Sequence, residues 1–554
     1  MKLPRRLIDV KDFVITGKVR LVEPRSIERV DMTKIKYTTL SHCWGPIASR
    51  VAQTTSHNYD EHMDEIIISK LPQTFQDAII LTGGLDMQYI WIDSLCILQD
   101  DPSDWQQQSA MMADIYAGSL LNISANHGSD SHVGLFHNRY TSMRPVQSLN
   151  GLIISPFERQ PLVYKSGSIC KWDGRPIYTR PSLKNTHLNS YRGGGRWGED
   201  LPLAPLDSRA WVYQERALSP RTVSFYESEL IWECRNGRCC ECSMIENHIA
   251  EHHTTRQLSI YDTKFKSQQA PIRNPLQPDA IYNHLWLRNH ILDDWYVRRP
   301  SAYKDRLPAI SGIASRIAER LRCLSSSEIP KHRAGIWSDS GVFASLWSTD
   351  GTYRDSNPYW IKRPQTYVAP TWSWASISLE YKVSNENVVP WLMWKTSDLD
   401  SREQLQDPVF AIGDITCTVE GDNPYGAVSS GMLKVRGRLM LARDVREVLV
   451  ASDLSTDHRG LSTMYYSKGD LDVDGWQPEY GFGETYGLLV TRQGSRIESG
   501  VVLILQKVRE KNGTVDVDNT FRRIGITYIG TYCGRKCCCF NFDDIREATS
   551  ITII

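Results

Sequence analysis

The chain has 554 residues, enough for two or more domains with a large core. Lys and Arg together number 64, as do Asp and Glu, and this zero net charge argues against nucleic acid or an anionic membrane as the main partner. A hydrophobic content of 41% with 17 Trp excludes wholesale disorder.

No apolar run reaches the roughly 18 residues that a membrane-spanning helix needs. The N-terminus carries charge without a following apolar stretch, so it does not look like a secretory signal peptide. We therefore expect a cytoplasmic, intracellular protein whose 13 Cys are thiols, with no nucleic-acid partner and no membrane span.

Short apolar segments alternate with helical patterns over the first part of the chain. The predicted elements are strands near 37–42, 88–93 and 120–125, and helices near 72–83 and 104–117. This β-α-β-α-β order implies right-handed crossovers and a parallel sheet. Residues 37–235 are therefore predicted to form one α/β unit with a mainly parallel sheet and flanking helices.

The remaining chain divides by composition. The predicted regions are a lead-in segment at 1–36, a loop-rich insertion at about 137–205 within 37–235, a mixed helical region at 236–400 and a β-rich region at 401–554. The C-terminal half is thus expected to be α+β. Within the insertion, residues 191–196 contain three consecutive Gly, which could cradle a phosphate but lack the lysine and following helix of a P-loop.

Polar side chains gather where the first two predicted strands end. Ser41, His42 and Cys43 end the first segment, and Asp93 and Cys96 end the second. In open α/β sheets, ligands bind just outside the carboxyl ends of the strands. These strand ends therefore define a candidate site.

Three aromatic-rich blocks resemble those of fungal heterokaryon incompatibility (HET) domain proteins. The blocks are 37–45 (Tyr-Thr-Thr-Leu-Ser-His-Cys-Trp-Gly), 71–125 centred on Trp-Ile-Asp-Ser-Leu-Cys-Ile at 91–97, and 209–234 beginning Arg-Ala-Trp-Val-Tyr-Gln-Glu-Arg. The resemblance extends to Leu-Pro-Arg-Arg-Leu-Ile-Asp-Val at 3–10, and to Ala-Gly-Ile-Trp at 334–337 and Ala-Pro-Thr-Trp-Ser-Trp-Ala-Ser at 369–376.

The resemblance implies a role in self/non-self recognition and programmed cell death. It also implies a TIR-like sheet, since HET domains are considered distant relatives of TIR domains, some of which cleave NAD at the nicotinamide–ribose bond. A carboxylate would then stabilise a developing oxocarbenium ion. Many HET domains carry Glu three residues after the Trp of the second block, whereas this chain has Gln108, which cannot be an anion.

Cys and His side chains offer one form of chemistry. Neighbouring residues of a strand point to opposite faces, so His42 pairs more plausibly with Cys96 than with Cys43 as a nucleophile pair, and Asp93 could orient either partner. The alternative is that both cysteines are small buried apolar residues. For Asp93, the alternatives are a functional buried carboxylate or a helix cap.

Glu215 offers a second form of chemistry, that of a carboxylate. If residues 209–218 are helical, Trp211 and Glu215 share one face, and an aromatic ring beside a carboxylate suits a flat heteroaromatic ligand. The alternative is a structural role, with Arg216 pairing to a carboxylate in the core. We predict catalytic roles for Glu215, Asp93, His42 and Cys96. The predicted ligand-binding residues are Ser41, Trp44, Gly45, Trp211 and Gln214.

Clustered cysteines raise the question of a metal. Cys234, Cys239, Cys240 and Cys242 are followed by His248, His252 and His253, and a second cluster holds Cys533 and 537–539. The first cluster contains one CxxC spacing, between Cys239 and Cys242, and the second contains none. We predict no metal site at either cluster.

Three classes of function follow from these observations. The first is an incompatibility-type effector that cleaves NAD(P), with NAD as substrate, no required cofactor and a nucleotide or other small molecule as ligand. The second is a non-catalytic signalling or interaction module that acts by self-association. The third is a HET-type scaffold recruited as a small-molecule biosynthetic enzyme.

Overall fold

A computed structural model shows two compact units, residues 1–274 and 275–554, which are considered separately here. The structure describes residues 3–24, 35–46, 52–136, 204–227, 229–234, 237–241, 303–324, 331–337, 359–364, 366–381, 410–441, 485–493, 499–509, 516–530 and 547–554, with short strand segments at 160–161, 171–172, 175–176, 178–179, 347–349, 392–394, 404–406 and 470–471.

A nine-stranded sheet organises the first unit. Its strands are β1 (Leu7–Asp9), β2 (Lys18–Val22), β3 (Tyr37–Ser41), β4 (Ile66–Ile67), β5 (Tyr89–Ile92), β6 (Leu121–Ser124), β7 (Arg221–Phe225), β8 (Leu230–Cys234) and β9 (Gly237–Cys240). Their spatial order is β9-β8-β7-β6-β3-β5-β1-β2-β4. The three strands predicted from the first α/β block, β3, β5 and β6, are confirmed.

The sheet is mixed rather than mainly parallel. The central strands β7, β6, β3 and β5 are parallel, as predicted for β3, β5 and β6, and β7 is an additional parallel strand. The flanking pairings β5–β1, β1–β2, β2–β4, β7–β8 and β8–β9 are antiparallel. The prediction of a mainly parallel sheet was therefore wrong at both edges. The reason is that β7, β8 and β9 follow one another through short connections, which join antiparallel neighbours, whereas parallel neighbours need long crossovers.

Residues of the lead-in segment belong to this sheet. They supply β1 and β2, and a short helix α1 (Phe13–Thr16) lies between these strands. Arg6 is buried: its Nε donates to the Cys96 carbonyl at 2.8 Å and its guanidinium forms an ion pair with the buried Asp104. Asp104 also accepts from the Leu98 amide at 2.9 Å. This network ties the N-terminal segment to the chain that follows β5.

Helices cover both faces of the parallel strands. They are α2 (Tyr59–Asp64), α3 (Gln73–Gly84), α4 (Asp93–Cys96), α5 (Pro102–Gly118) and α6 (Ala210–Leu218). The predicted helices near 72–83 and 104–117 are confirmed as α3 and α5, and the helical interpretation of 209–218 is confirmed as α6. Asp101 caps α5 by accepting from the amides of Ser103 and Asp104.

The two faces carry different side chains because residues of a strand alternate. On one face, Thr38 of β3 contacts Thr82 of α3 through their hydroxyl oxygens, 2.8 Å apart. On the other, the Tyr37 hydroxyl donates to the Ile115 carbonyl of α5 at 2.7 Å. Ser41 is on the same face as Tyr37, so it lies beneath α5 and its neighbours.

The second unit contains a helix α7 (Pro308–Leu324) and a β-rich part. The family-like segments 334–337 and 369–376 pack together: Trp374 Nε1 donates to the Gly335 carbonyl at 3.1 Å, and Ser373 Oγ donates to the Ala334 carbonyl at 2.6 Å. Gly335 has a φ of +86°, and an added Cβ would lie 2.4 Å from Trp374 Nε1. Only glycine fits this position without a rearrangement.

An eight-stranded sheet dominates the described part of this unit. Five of its strands close into a ring in the order in which they follow one another: β10 (Val428–Leu441), β11 (Thr485–Gln493), β12 (Ser499–Arg509), β13 (Asp516–Gly530) and β14 (Thr549–Ile553). Leu433 and Val435 are buried alternate residues of β10, whereas residues 502–505 of β12 are all buried. The predicted β-rich C-terminal half is confirmed.

Several sequence features lie outside the described residues. They are the triple Gly at 193–195, most of the insertion at 137–205, Cys242 with the histidines after it, and Cys533 with 537–539. Cys234, Cys239 and Cys240 are described as free thiols on β8 and β9. Among the helices that the structure describes, none has the length and apolar character to span a membrane.

Candidate functional site at the carboxyl ends of the parallel strands

The parallel strands place polar groups at one edge of the sheet. Ser41 is the last residue of β3, and Asp93 directly follows β5. Helix α6 brings Glu215 to the same edge, where its side chain interacts with Ser41 and with the charge of Asp93. Ser41, Asp93 and Glu215 therefore lie together at the carboxyl edge of the parallel strands, where open α/β sheets bind ligands.

Glu215 is a buried carboxyl group held by two hydroxyls. Its side chain is hydrogen-bonded to those of Ser41 and Tyr116, and all three residues are buried. Burial, with a smaller contribution from the Asp93 charge, raises the pKa of Glu215 to about 7, although the hydrogen bonds and the nearby Arg209 act against the rise. A carboxyl group with this pKa exchanges a proton near neutral pH, which suits a general acid or base.

Asp93 lies between the buried and the accessible part of the site, with its side chain 25% exposed. Its Oδ2 accepts from Trp44 Nε1 at 2.8 Å, and its Oδ1 accepts from the Ser94 amide at 2.7 Å. Oδ1 is also 3.7 Å from His42 Nδ1. Asp93 is the first residue of α4 rather than its cap, which is Ile92, and its carboxylate orients the Trp44 indole.

His42 is buried and contacts both the site and the core. Its ring packs edge-to-face against Phe75, with the ring centres 4.8 Å apart. Burial lowers the pKa of His42 to about 4, although the Asp93 charge opposes this effect. His42 is therefore neutral at pH 7. Its carbonyl accepts from Arg209 Nη1 at 2.8 Å, which places the Arg209 guanidinium beside the site.

Trp44 and Gly45 lie at the accessible side of the site. Both are partly exposed, and the Trp44 indole is oriented by its bond to Asp93. Gly45 has a φ of +75°, a left-handed conformation that lets the chain turn directly after Trp44 and that favours glycine. An oriented, partly exposed indole offers a stacking surface for a heteroaromatic ring.

The cysteines lie in surroundings that keep them neutral. Burial raises the pKa of Cys96 to about 12 and that of Cys43 to about 11, although Arg209 acts against the rise at Cys43. A thiolate, not a thiol, is the nucleophile in Cys chemistry. These surroundings favour the interpretation of both residues as buried apolar groups rather than the nucleophile role predicted for Cys96.

The remaining predicted residues lie on α6. Gln214 is buried and Trp211 is partly exposed one turn before Glu215 on the same helix. The alternative involving Arg216 is also realised, because Arg216 Nε donates to Glu233 Oε2 of β8 at 2.6 Å in a buried ion pair. Arg216 thus pairs with Glu233, while Glu215 is directed to Ser41 and Tyr116.

Gln108, which replaces the family's Glu, lies on α5 and is buried. It precedes Tyr116 by two helical turns, about 12 Å along the axis. Its Oε1 atom is buried and accepts no hydrogen bond among the described residues. The titratable carboxyl group that the structure places with Ser41 is Glu215.

Sequence reasoning did not assign roles to Tyr116 and Arg209. Tyr116 reaches Glu215 from α5, and its ring packs edge-to-face against Trp91 with the centres 5.7 Å apart. Arg209 precedes the first residue of α6. Helical spacing does signal that Tyr116 faces the core, but its contact with Glu215 depends on how α5 and α6 pack, which spacing does not reveal.

The first unit is thus an α/β domain with a polar site at the carboxyl edge of its parallel strands. Residues 37–215 match the family model described as Heterokaryon incompatibility protein (HET). The chain therefore contains a heterokaryon incompatibility domain over residues 37–215, and the match supports a role of that type. The matched segment begins at β3 and ends at Glu215, so it spans the whole site. No curated protein and no solved structure shows significant similarity to the chain.

Proposed function

We propose that this protein is an intracellular effector of self/non-self recognition and programmed cell death, and that its HET domain cleaves NAD(P) at the nicotinamide–ribose bond in a TIR-like manner. The observation that carries the proposal is the buried Glu215 carboxyl group, hydrogen-bonded to Ser41 and Tyr116 with a pKa of about 7, at the edge of the sheet where α/β proteins bind ligands.

The reaction needs a carboxylate but no acid. When the C1′–N bond breaks, its electron pair goes to the pyridinium nitrogen, so nicotinamide leaves as a neutral molecule without protonation. The ribose becomes an oxocarbenium ion, which a nearby carboxylate stabilises. Water then adds to C1′ and its proton passes to Glu215. The products are nicotinamide, ADP-ribose and one proton.

The other site residues have matching roles in this proposal. Trp44 would stack on a base of the dinucleotide, since its indole is oriented by Asp93 and partly exposed. Arg209, a fixed cation beside the site, would attract the pyrophosphate. Gln108 does not prevent this chemistry, because the charge that the reaction needs comes from Glu215.

Glu215→Gln tests the role of the charge, because Gln keeps the shape of the side chain. The full chain is incubated with NAD at pH 8, and nicotinamide is measured. We expect release by the unmodified protein and by Glu61→Gln, a matched change at an exposed residue of α2, and a loss of at least about 100-fold in Glu215→Gln. Equal release by both variants would contradict the proposed role of Glu215.

A second candidate function is a module that acts by self-association. The observation that favours it is a group of exposed apolar side chains: Val14 and Ile15 of α1 are 79% and 90% exposed, and Ile80 and Leu85 near the end of α3 are each 47% exposed. Exposed apolar patches mark interaction sites. If Ile15→Lys abolishes cell killing while Glu215→Gln does not, assembly rather than catalysis carries the function.

A further inference from the structure

Ser41 lies between two acceptors, Asn122 and Glu215, and is also hydrogen-bonded to the Tyr116 side chain. Its Oγ donates to Asn122 Oδ1 at 3.2 Å, and its side chain is also hydrogen-bonded to Glu215. A serine hydroxyl has one proton, so it cannot donate to both groups at the same time. The Ser41 hydroxyl can therefore donate to only one of these two acceptors at a time.

Asn122 keeps a hydrogen bond to its Oδ1 in either orientation of the Ser41 hydroxyl. It lies on β6 and is fully buried, and its Oδ1 also accepts from Thr39 Oγ1 at 3.0 Å. When the Ser41 proton turns away, Asn122 Oδ1 keeps the bond from Thr39. The buried acceptor is then still satisfied, so the turn does not carry the penalty of an orphaned polar group.

We propose that Ser41 is a positioning residue whose hydroxyl alternates between Asn122 and Glu215, stabilising Glu215 in both its protonated and its ionised state. With Glu215 protonated, the carboxyl O–H donates to Ser41 Oγ and Ser41 donates to Asn122. With Glu215 ionised, its proton has left to solvent and Ser41 donates to the carboxylate. This inference rests on the proposed function, in which Glu215 passes through both states.

The other groups around Glu215 act on it in different ways from Ser41. Tyr116 on α5 keeps its proton, because burial raises the pKa of its phenol well above its ordinary value, and the charges of Glu215 and Asp93 add to this effect. Asp93 beyond β5 and Arg209 before α6 act on Glu215 by their charges, and Cys43 interacts with it as a neutral thiol. The Tyr116 hydroxyl also links Glu215 to a second acceptor, the Leu40 carbonyl at 3.4 Å, whereas Ser41 links it to the Asn122 side chain.

The test measures the ionisation of Glu215 directly. The full chain is labelled with ¹³C at the side-chain carboxyl of Glu, and the Glu215 signal is assigned by its absence in Glu215→Gln. We expect Ser41→Ala to raise the pKa of Glu215 by about 1 to 2, because the charge-assisted bond that the carboxylate loses is stronger than the neutral bond that the protonated carboxyl loses. Ser41→Thr, which keeps the hydroxyl, should restore the original value.

A change at the competing acceptor should act in the opposite direction. The double variant Thr39→Val/Asn122→Leu removes the acceptor together with its other donor, so the Ser41 proton is always available to Glu215 and the pKa should fall. A rise or no change would overturn the proposal, because it would mean that Asn122 donates to Ser41. An unchanged pKa in Ser41→Ala would also overturn it.

These outcomes are distinguishable from failure of the proposed function. If the two opposite pKa changes appear but no nicotinamide is released from NAD, the alternation stands and the NAD-cleaving function fails. If nicotinamide is released but neither variant moves the pKa, the function stands and the alternation fails.

Discussion

Glu215 should make the first unit less stable as pH rises. Its pKa of 4.5 in an unfolded chain is raised to about 7 by burial, so between these values the folded protein binds more protons than the unfolded one. The stabilising effect is complete below pH 4.5 and is lost as pH rises through about 7. A change of about 2.5 pKa units at about 1.4 kcal/mol each corresponds to about 3 kcal/mol.

The variant Glu215→Gln removes this dependence, because Gln does not titrate. The free energy of unfolding of the unmodified protein relative to the variant should therefore fall by about 3 kcal/mol between pH 4.5 and pH 8. For a domain of this size, that corresponds to roughly 6 to 12 °C in Tm. Thermal unfolding of both proteins, followed by circular dichroism across this range, measures the difference.

The matched control is Glu61→Gln, which makes the same substitution at an exposed residue of α2. Because other titrating groups are common to the proteins compared, their contributions cancel. A Tm difference between the unmodified protein and Glu215→Gln that stays constant from pH 4.5 to 8 would refute the reasoning, since Glu215 would then ionise alike in the folded and unfolded chain.

Two further predictions concern stability. Asp104→Asn leaves the buried Arg6 without its ion pair, so we expect a loss of about 3 to 5 kcal/mol in urea unfolding, and a loss below about 1 kcal/mol would contradict the importance of this pair. Gly335→Ala should lower stability more than Gly17→Ala: both have positive φ, but an added Cβ meets the Trp374 ring only at Gly335. Equal Tm changes would show that the ring moves away at little cost.

Local patterns were sufficient to predict the centre of the first unit. Alternation of short apolar segments with capped helical segments led to β3, β5 and β6 and to α3 and α5. The antiparallel edges were missed because β1 and β2 are short and their assignment depends on pairing with β5, which is a long-range contact. Arg6, whose charge suggests exposure, is instead buried against Asp104.

The site was predictable where it depended on strand ends. Ser41 and Asp93 follow from the position of their strands, and Glu215 follows from its place on a helix after them. Tyr116 and Arg209 were missed because their positions depend on the packing of α5 and α6. For Cys96, the residue type suggested a nucleophile. Burial, which the sequence does not reveal directly, raises the pKa of its thiol to about 12 and keeps it neutral.

The most direct test of the central claim is the release of nicotinamide from NAD as a function of pH, measured on the full chain. The Glu215 carboxylate forms as pH rises through about 7, so release should increase across this pH and reach a plateau above it. Glu215→Gln should show no such increase. No release at any pH, or a pH profile shared by both proteins, would contradict the claim that Glu215 acts in NAD cleavage.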